Sequence, residues 1–208
     1  MLASEILVQY KKTPTQKVQN GQPNISWEAF KAKYLSREDG YKYEWLNGVV
    51  EKSKRTMDKT QLFILRNLLE KFRELQYANK VDGELISEGD LFFLDKHRRP
   101  NIAFLTNEQI ELAADDKLDS VPEFVIEVIS NTDAINRVNK KIVNYRESGV
   151  KVVWHIFPNE HEVHVYCDDN LDTVYIKRDD AICSAEPVLP DFQMPVSDIF
   201  KRKNKKTV

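Results

Sequence analysis

The stretch Glu123-Phe-Val-Ile-Glu-Val-Ile129 decides how this chain is read. Its apolar, largely β-branched run, with Pro122 in front of it, reads as a strand buried on both faces. Glu127 interrupts that run. A carboxylate in such a place is costly unless it is ion-paired, hydrogen-bonded or bound to a metal. Glu127 therefore marks a candidate site.

Two further strand candidates flank this one, Asn101-Ile-Ala-Phe-Leu105 before it and Lys151-Val-Val-Trp-His-Ile-Phe157 after it. Between the second and third, Ser130-Asn-Thr-Asp133 offers capping side chains for a helix from about residue 134 to Ser148, and Gly149 is the expected stop. Ile135, Val138, Ile142 and Tyr145 recur at spacings of three, four and three and form its apolar stripe. At about 100° per residue, Lys141 falls on the flank of that stripe and Lys140 points away. A flanking lysine can bury its stem and aim its ammonium at a carboxylate on the neighbouring strand. Glu127 is such a carboxylate.

Toward the start, residues 1–24 are polar and read as a loosely held leader. Ser26 is a plausible cap for a helix carrying Trp27, Phe30 and Tyr34. Asn47-Gly48 between alternating stretches predicts a two-residue hairpin joining strands 41–46 and 49–54. Alternation puts Lys42, Glu44 and Leu46 on one face of the first strand. Leu62, Leu65, Leu69 and Phe72, with Ile64 and Leu68 beside them, describe a long amphipathic helix over about 57–76. Two short strands follow, at 84–87 and 90–94, and residues 95–100 read as a polar connection. Residues 107–120 read as a surface excursion with at most a short helix. Segments 161–167 and 171–178 alternate like an antiparallel meander, and Pro187, Pro190 and Pro195 make the closing segment irregular. The expected architecture is α/β, a mixed sheet flanked by helices in one domain over 25–200, with a basic tail over 201–208.

Composition sets limits. With 208 residues, 41% hydrophobic and 31% charged, the chain reads as a globular protein. No run approaches the length of a membrane span, and the start is too short and acidic for a secretory signal, so the expected compartment is the cytoplasm. Cys167 and Cys183 read as free thiols, and the four histidines form no credible metal set. Five of the 31 cations stand in the last eight residues, which leaves 26 cations against 33 acids in the rest. That balance excludes the broad basic surface of a tight, non-specific DNA binder.

Tyr43-Glu-Trp-Leu-Asn-Gly48, Arg99-Pro-Asn-Ile102, Phe124-Val-Ile-Glu-Val-Ile-Ser130 and Lys141-Ile-Val-Asn-Tyr-Arg-Glu-Ser-Gly-Val150, with Trp154 and Pro158 after them, resemble the Uma2 family. That family is a branch of the PD-(D/E)XK nuclease superfamily, and the likeness covers roughly residues 25–200. It implies a restriction-endonuclease-like fold and a DNA endonuclease using Mg²⁺ or Mn²⁺. On this resemblance Glu44, Glu127 and Lys141 are the catalytic residues, and Asn101 with Glu127 forms the metal position. Asn101 stands where the family carries its principal metal-binding aspartate. An amide oxygen is neutral, and hard cations depend on ligand charge, so metal binding is expected to be weak or absent. The resemblance is thus compatible with a catalytically inactive binding or assembly module on a nuclease fold.

Each residue also has a plainer reading. Glu127 can be a core carboxylate satisfied by Lys141 alone, Glu44 a surface residue on a hairpin, and Asn101 a side chain paired with backbone at a strand start. Arg98-Arg99, next to the site, can contact phosphate or be a charged turn, which is the commoner reason for such a pair. An exposed sheet edge makes a homodimer conceivable.

Overall fold

The computed structural model describes residues 24–54, 59–93, 96–114, 121–130, 133 and 135–202. The expected leader, except Asn24, and residues 203–208 of the tail lie outside the described residues.

The hairpin forms with the register expected: β1 (Tyr41–Leu46) pairs antiparallel with β2 (Val49–Lys54). Asn47 and Gly48 turn it with φ of 48° and 92°. Such positive φ values are what a two-residue turn demands, and Asn-Gly meets them at low cost. Ahead of the hairpin, the one-turn α1 (Trp27–Phe30) is capped by Ser26, whose Oγ accepts the Ala29 N–H, and continues as a π-turn over Lys31–Leu35.

The long helix is α2 (Lys59–Tyr77), followed by β3 (Glu84–Ser87), β4 (Leu91–Phe93), β5 (Lys96–Arg98), β6 (Ile102–Leu105) and the short α3 (Asn107–Ala114). After it come β7 (Phe124–Val128), α4 (Ile135–Ser148) and β8 (Val152–Phe157), with β7 and β8 parallel as a strand–helix–strand unit requires. The meander is β9 (Glu162–Tyr166) and β10 (Tyr175–Arg178). Then β11 (Ile182–Ala185) and β12 (Leu189–Pro195) form a separate hairpin that ends in α5 (Val196–Ile199).

Instead of one sheet there are three among the described residues, ordered β2-β1-β5-β4, β10-β9-β8-β7-β6-β3 and β11-β12. The six-stranded sheet is mixed, with its one parallel pair at β7–β8. Side-chain alternation assigns its two faces. Phe124, Ile126, Trp154 and Ile156 join the larger core, where Ile64, Leu68 and Phe72 of α2 pack with Phe192 and Met194 of β12. Val125 and Val153 face the other way, against Ile142 and Tyr145 of α4. Glu127 has the parity of Val125, so it points to the α4 side.

Four expectations change. Residues 96–98 form a strand rather than a loop, and its Arg98 is wholly buried. The proline-rich close is an ordered hairpin, because β12 pairs only with β11 and its other edge tolerates proline. The buried stripe of α2 is Ile64, Leu68, Phe72 and Leu75, while Leu62 is exposed. Ile135, placed in the α4 stripe, is exposed as well. No helix among the described residues is long and apolar enough to cross a membrane.

Candidate active site

Alternation along β1 sends Tyr43 and Trp45 into an aromatic cluster with Phe30 and sends Lys42 and Glu44 to the opposite face. There Glu44 lies directly across from Glu51 of β2. Like charges in a cross-strand pair repel. Arg98, on the strand flanking β1 on its other side, resolves the conflict: its Nη1 donates to Glu44 Oε2 at 3.2 Å and to Glu51 Oε2 at 3.0 Å, and its Nη2 to Asn144 Oδ1. The Arg99 backbone N–H donates to Glu44 Oε1 at 2.9 Å. Glu44 is 3% exposed, so the reading of it as a surface residue is overturned.

From the other sheet Glu127, also 3% exposed, meets α4. Lys141 Nζ donates to its Oε1 at 2.7 Å and Tyr145 Oη to the same oxygen at 2.6 Å. Residues 141 and 145 are four apart, so one face of α4 carries both donors. Lys141 Nζ is 3.9 Å from Glu44 Oε2. One ammonium thus ties a carboxylate of each sheet together. Lys140 turns outward, as its phase requires, and reaches Glu51 Oε1 at 2.7 Å.

Burial alone would raise the pKa of both carboxyls, but Lys141 with Arg98 and Lys42 outweighs it at Glu44, and Lys141 with Lys42 at Glu127. Both are held below the usual carboxylate range and stay ionised. Burial would discharge Lys141, yet Glu127 and Glu44 push its pKa above the ordinary lysine value. Tyr145, desolvated and facing Glu127, is raised well above the phenol range and remains a donor.

Glu44, Glu51, Glu127 and Lys141 line a cavity of about 300 Å³ that also takes in Lys42, Glu88, Asn101 and Arg137. The four positions 44, 101, 127 and 141 therefore converge. Asn101 Oδ1 accepts the Val128 backbone N–H at 2.9 Å, which is the plainer role expected of it, while the residue still lines the cavity. Among the described residues no group of three His, Cys, Asp or Glu converges as a metal cage would. Glu44 has an N–H donor on each oxygen, whereas both bonds to Glu127 fall on Oε1. One carboxylate with an unshared oxygen and one amide oxygen fit a Mg²⁺ that keeps most of its water. They do not fit a fully enclosed cation.

The family described as "Putative restriction endonuclease", Uma2, matches residues 27–197. The chain belongs to the Uma2 family. The crystal structure of a "putative nuclease belonging to DUF820" from Anabaena variabilis ATCC 29413 matches with a TM-score of 0.64 at 18% identity, over 76% of this chain and 89% of that chain. At that identity the likeness speaks for the fold alone. Among curated protein sequences none matches.

Within this Uma2 site, sequence reasoning missed Arg98, Glu51, Tyr145 as a hydrogen-bond donor, and Lys42. Two of these had a signal. Lys42 is two residues from Glu44 and must share its face, and Tyr145 is four from Lys141. Arg98 had none, because nothing local distinguishes a buried arginine in Lys96-His-Arg-Arg99 from a solvated turn.

Proposed function

We propose that the pocket is the phosphodiester site of a DNA endonuclease, with Glu44, Glu127 and Lys141 as its acting side chains. One observation carries the reading: a half-buried lysine held ionised between carboxylates of two different sheets, inside a cavity that Asn101 also lines. Residues 127 and 101 would hold a Mg²⁺ or Mn²⁺, which when bound polarises the phosphate and acidifies a water.

The chain's own groups supply the rest. Lys141, kept positive by Glu127 and Glu44, offers fixed charge to the phosphate oxygens as negative charge builds during attack on phosphorus. Tyr145 and Glu127 fix where that ammonium points. Arg98 and the Arg99 N–H fix Glu44, so the site needs little reorganisation when DNA arrives. Water attacks phosphorus, one ester P–O bond breaks, and the products are an alcohol and a phosphomonoester.

A second reading is favoured by the bond from Val128 N–H to Asn101: a nuclease fold that binds without turnover. Calorimetric titration with Mg²⁺ and Mn²⁺, together with plasmid cleavage, separates the two. Under the endonuclease reading, wild type binds metal weakly and cleaves slowly, Asn101→Asp gains at least about 10-fold in metal affinity and cleaves faster, and Glu127→Ala and Lys141→Ala abolish cleavage. Metal binding and cleavage by Asn101→Asp alone establish the binding-only reading for wild type. Wild-type cleavage that survives both alanine substitutions means the site is elsewhere.

A further inference from the structure

Five carboxylates line the cavity, Glu44, Glu51, Glu88, Glu127 and Asp133. Glu44 and Glu51 are matched by Arg98, Glu51 again by Lys140, and Glu127 by Lys141. Lys42 is a further cation on the lining, only 7% exposed, and it makes no ion pair among the described residues. Glu44, Glu127 and Glu88 attract it from beyond pairing distance, and Lys141 repels it. Its stem is buried while its ammonium opens on the cavity with no carboxylate to pair with among the described residues, an arrangement that folding alone does not explain. Groups kept in that state belong to sites arranged for a ligand.

We propose that Lys42 and Lys141 together form the seat of a phosphodiester oxyanion, with Lys42 contacting the non-bridging oxygens directly. The partner chemistry follows from the charge. A bound phosphate supplies the negative charge that Lys42 lacks, and the cavity beside it is large enough for one phosphate with part of a sugar. Arg137 on the same lining adds positive charge for a neighbouring phosphate. Glu44 has its oxygens already occupied by Arg98 and the Arg99 N–H, so it competes little for Lys42. Burial and the nearby Lys141 also lower the Lys42 pKa, consistent with a charge waiting for a counter-charge. The identity of the phosphate as DNA rests on the function proposed above; the anion seat itself does not.

The test keeps metal out. A fluorescently labelled duplex is titrated in EDTA by anisotropy over a salt series, with wild type, Lys42→Met, Lys42→Arg and, as a control outside the pocket, Lys151→Met. In parallel, melting temperatures are taken in sodium phosphate and in sodium chloride at equal ionic strength. Lys42→Met is expected to bind DNA about 10-fold more weakly, with the slope of log affinity against log salt shallower by about 1, and to lose the phosphate-specific rise in melting temperature. Lys42→Arg retains both, and Lys151→Met behaves as wild type. In chloride Lys42→Met melts no lower than wild type, since it removes an unpaired buried charge. Unchanged affinity and slope in Lys42→Met overturn the proposal, and so does a Lys42→Met protein that melts lower in chloride or fails to fold, because the lysine is then structural. Phosphate stabilisation that depends on Lys42 in a wild type that binds no DNA supports the seat and sinks the nuclease reading. DNA binding without dependence on Lys42 does the reverse.

Discussion

His155 stands beside Glu127, opposite it in the parallel register of β8, and is 1% exposed with its Nε2 unpartnered among the described residues. Burial, only partly offset by Glu127, depresses its pKa from 6.5 to about 4. The unfolded chain takes up a proton near pH 6.5 and the folded chain only near 4, so the unfolded state binds more protons throughout that window. Stability therefore falls as pH drops from about 6.5 to about 4 and changes no further on this account below it. Glu44 and Glu127, held below the ordinary range, act in a lower window. Their contribution is present above about pH 4.5 and is lost beneath it. Urea unfolding should show wild type losing about 2 kcal/mol between pH 7 and pH 5 through His155, and His155→Leu losing less than about 0.5. Equal losses in the two proteins would remove His155 as the cause. At this scale the legible residues were those whose chemistry contradicted their local pattern. Glu127 broke an apolar strand, and Lys141 flanked an apolar stripe. Arg98 did neither, since its burial is decided by Glu44 and Glu51, which lie about fifty positions away in the chain.

Elements were legible where local signals agreed. The Asn47-Gly48 turn, the β7–α4–β8 unit and the helix stop at Gly149, which has φ of 89°, all follow from short-range chemistry. They failed where a partner far along the chain made the choice. On α2 two stripes were available at helical spacing, and burial fell on the one that Phe104 and Phe192 cover, which leaves Leu62 exposed. The close of the chain was read as irregular because proline argues against strands, but that argument holds only for strands paired on both sides. The join between α2 and β3 offers a test of such long-range constraint. Gly83 has φ of 136°, and a Cβ there would lie 2.3 Å from the Leu105 carbonyl oxygen and 2.8 Å from the Phe104 ring. Gly83→Ala should cost roughly 3 kcal/mol and lower the melting temperature by about 6–12 °C. Gly40 has positive φ but open space around it, so Gly40→Ala should cost only about 1 kcal/mol. A Gly83→Ala protein as stable as Gly40→Ala would show that β6 gives way to the new methyl.

Across the whole molecule, the candidate site is also the joint between the two larger sheets. Glu44 belongs to one, Glu127 to the other, and Lys141 of α4 reaches both, while Asn144 of the same helix accepts from Arg98. The geometry of the candidate site and global stability are therefore set by the same ions. Arg98→Met leaves Glu44 and Glu51 facing each other with their main cation gone, and breaking a buried pair by removing one partner costs about 3–5 kcal/mol. For a chain of this size the melting temperature should fall by about 6–20 °C. Lys140→Met removes an exposed partner of the same Glu51 and should change stability by less than about 1 kcal/mol. The double variant Glu44→Met/Arg98→Met is the informative one. If the cost of Arg98→Met is the stranded charge on Glu44, removing that charge should recover most of the loss, because well-packed apolar replacements of a buried pair are often neutral. If instead Arg98 acts mainly by anchoring β5 to α4 through Asn144, the double variant should stay as unstable as the single one. Thermal unfolding of wild type, Glu44→Met, Arg98→Met and the double variant, read as a double-mutant cycle, gives the coupling between residues 44 and 98 directly. A coupling below about 0.5 kcal/mol would mean that the four-stranded sheet does not depend on the Glu44–Arg98 pair for its stability.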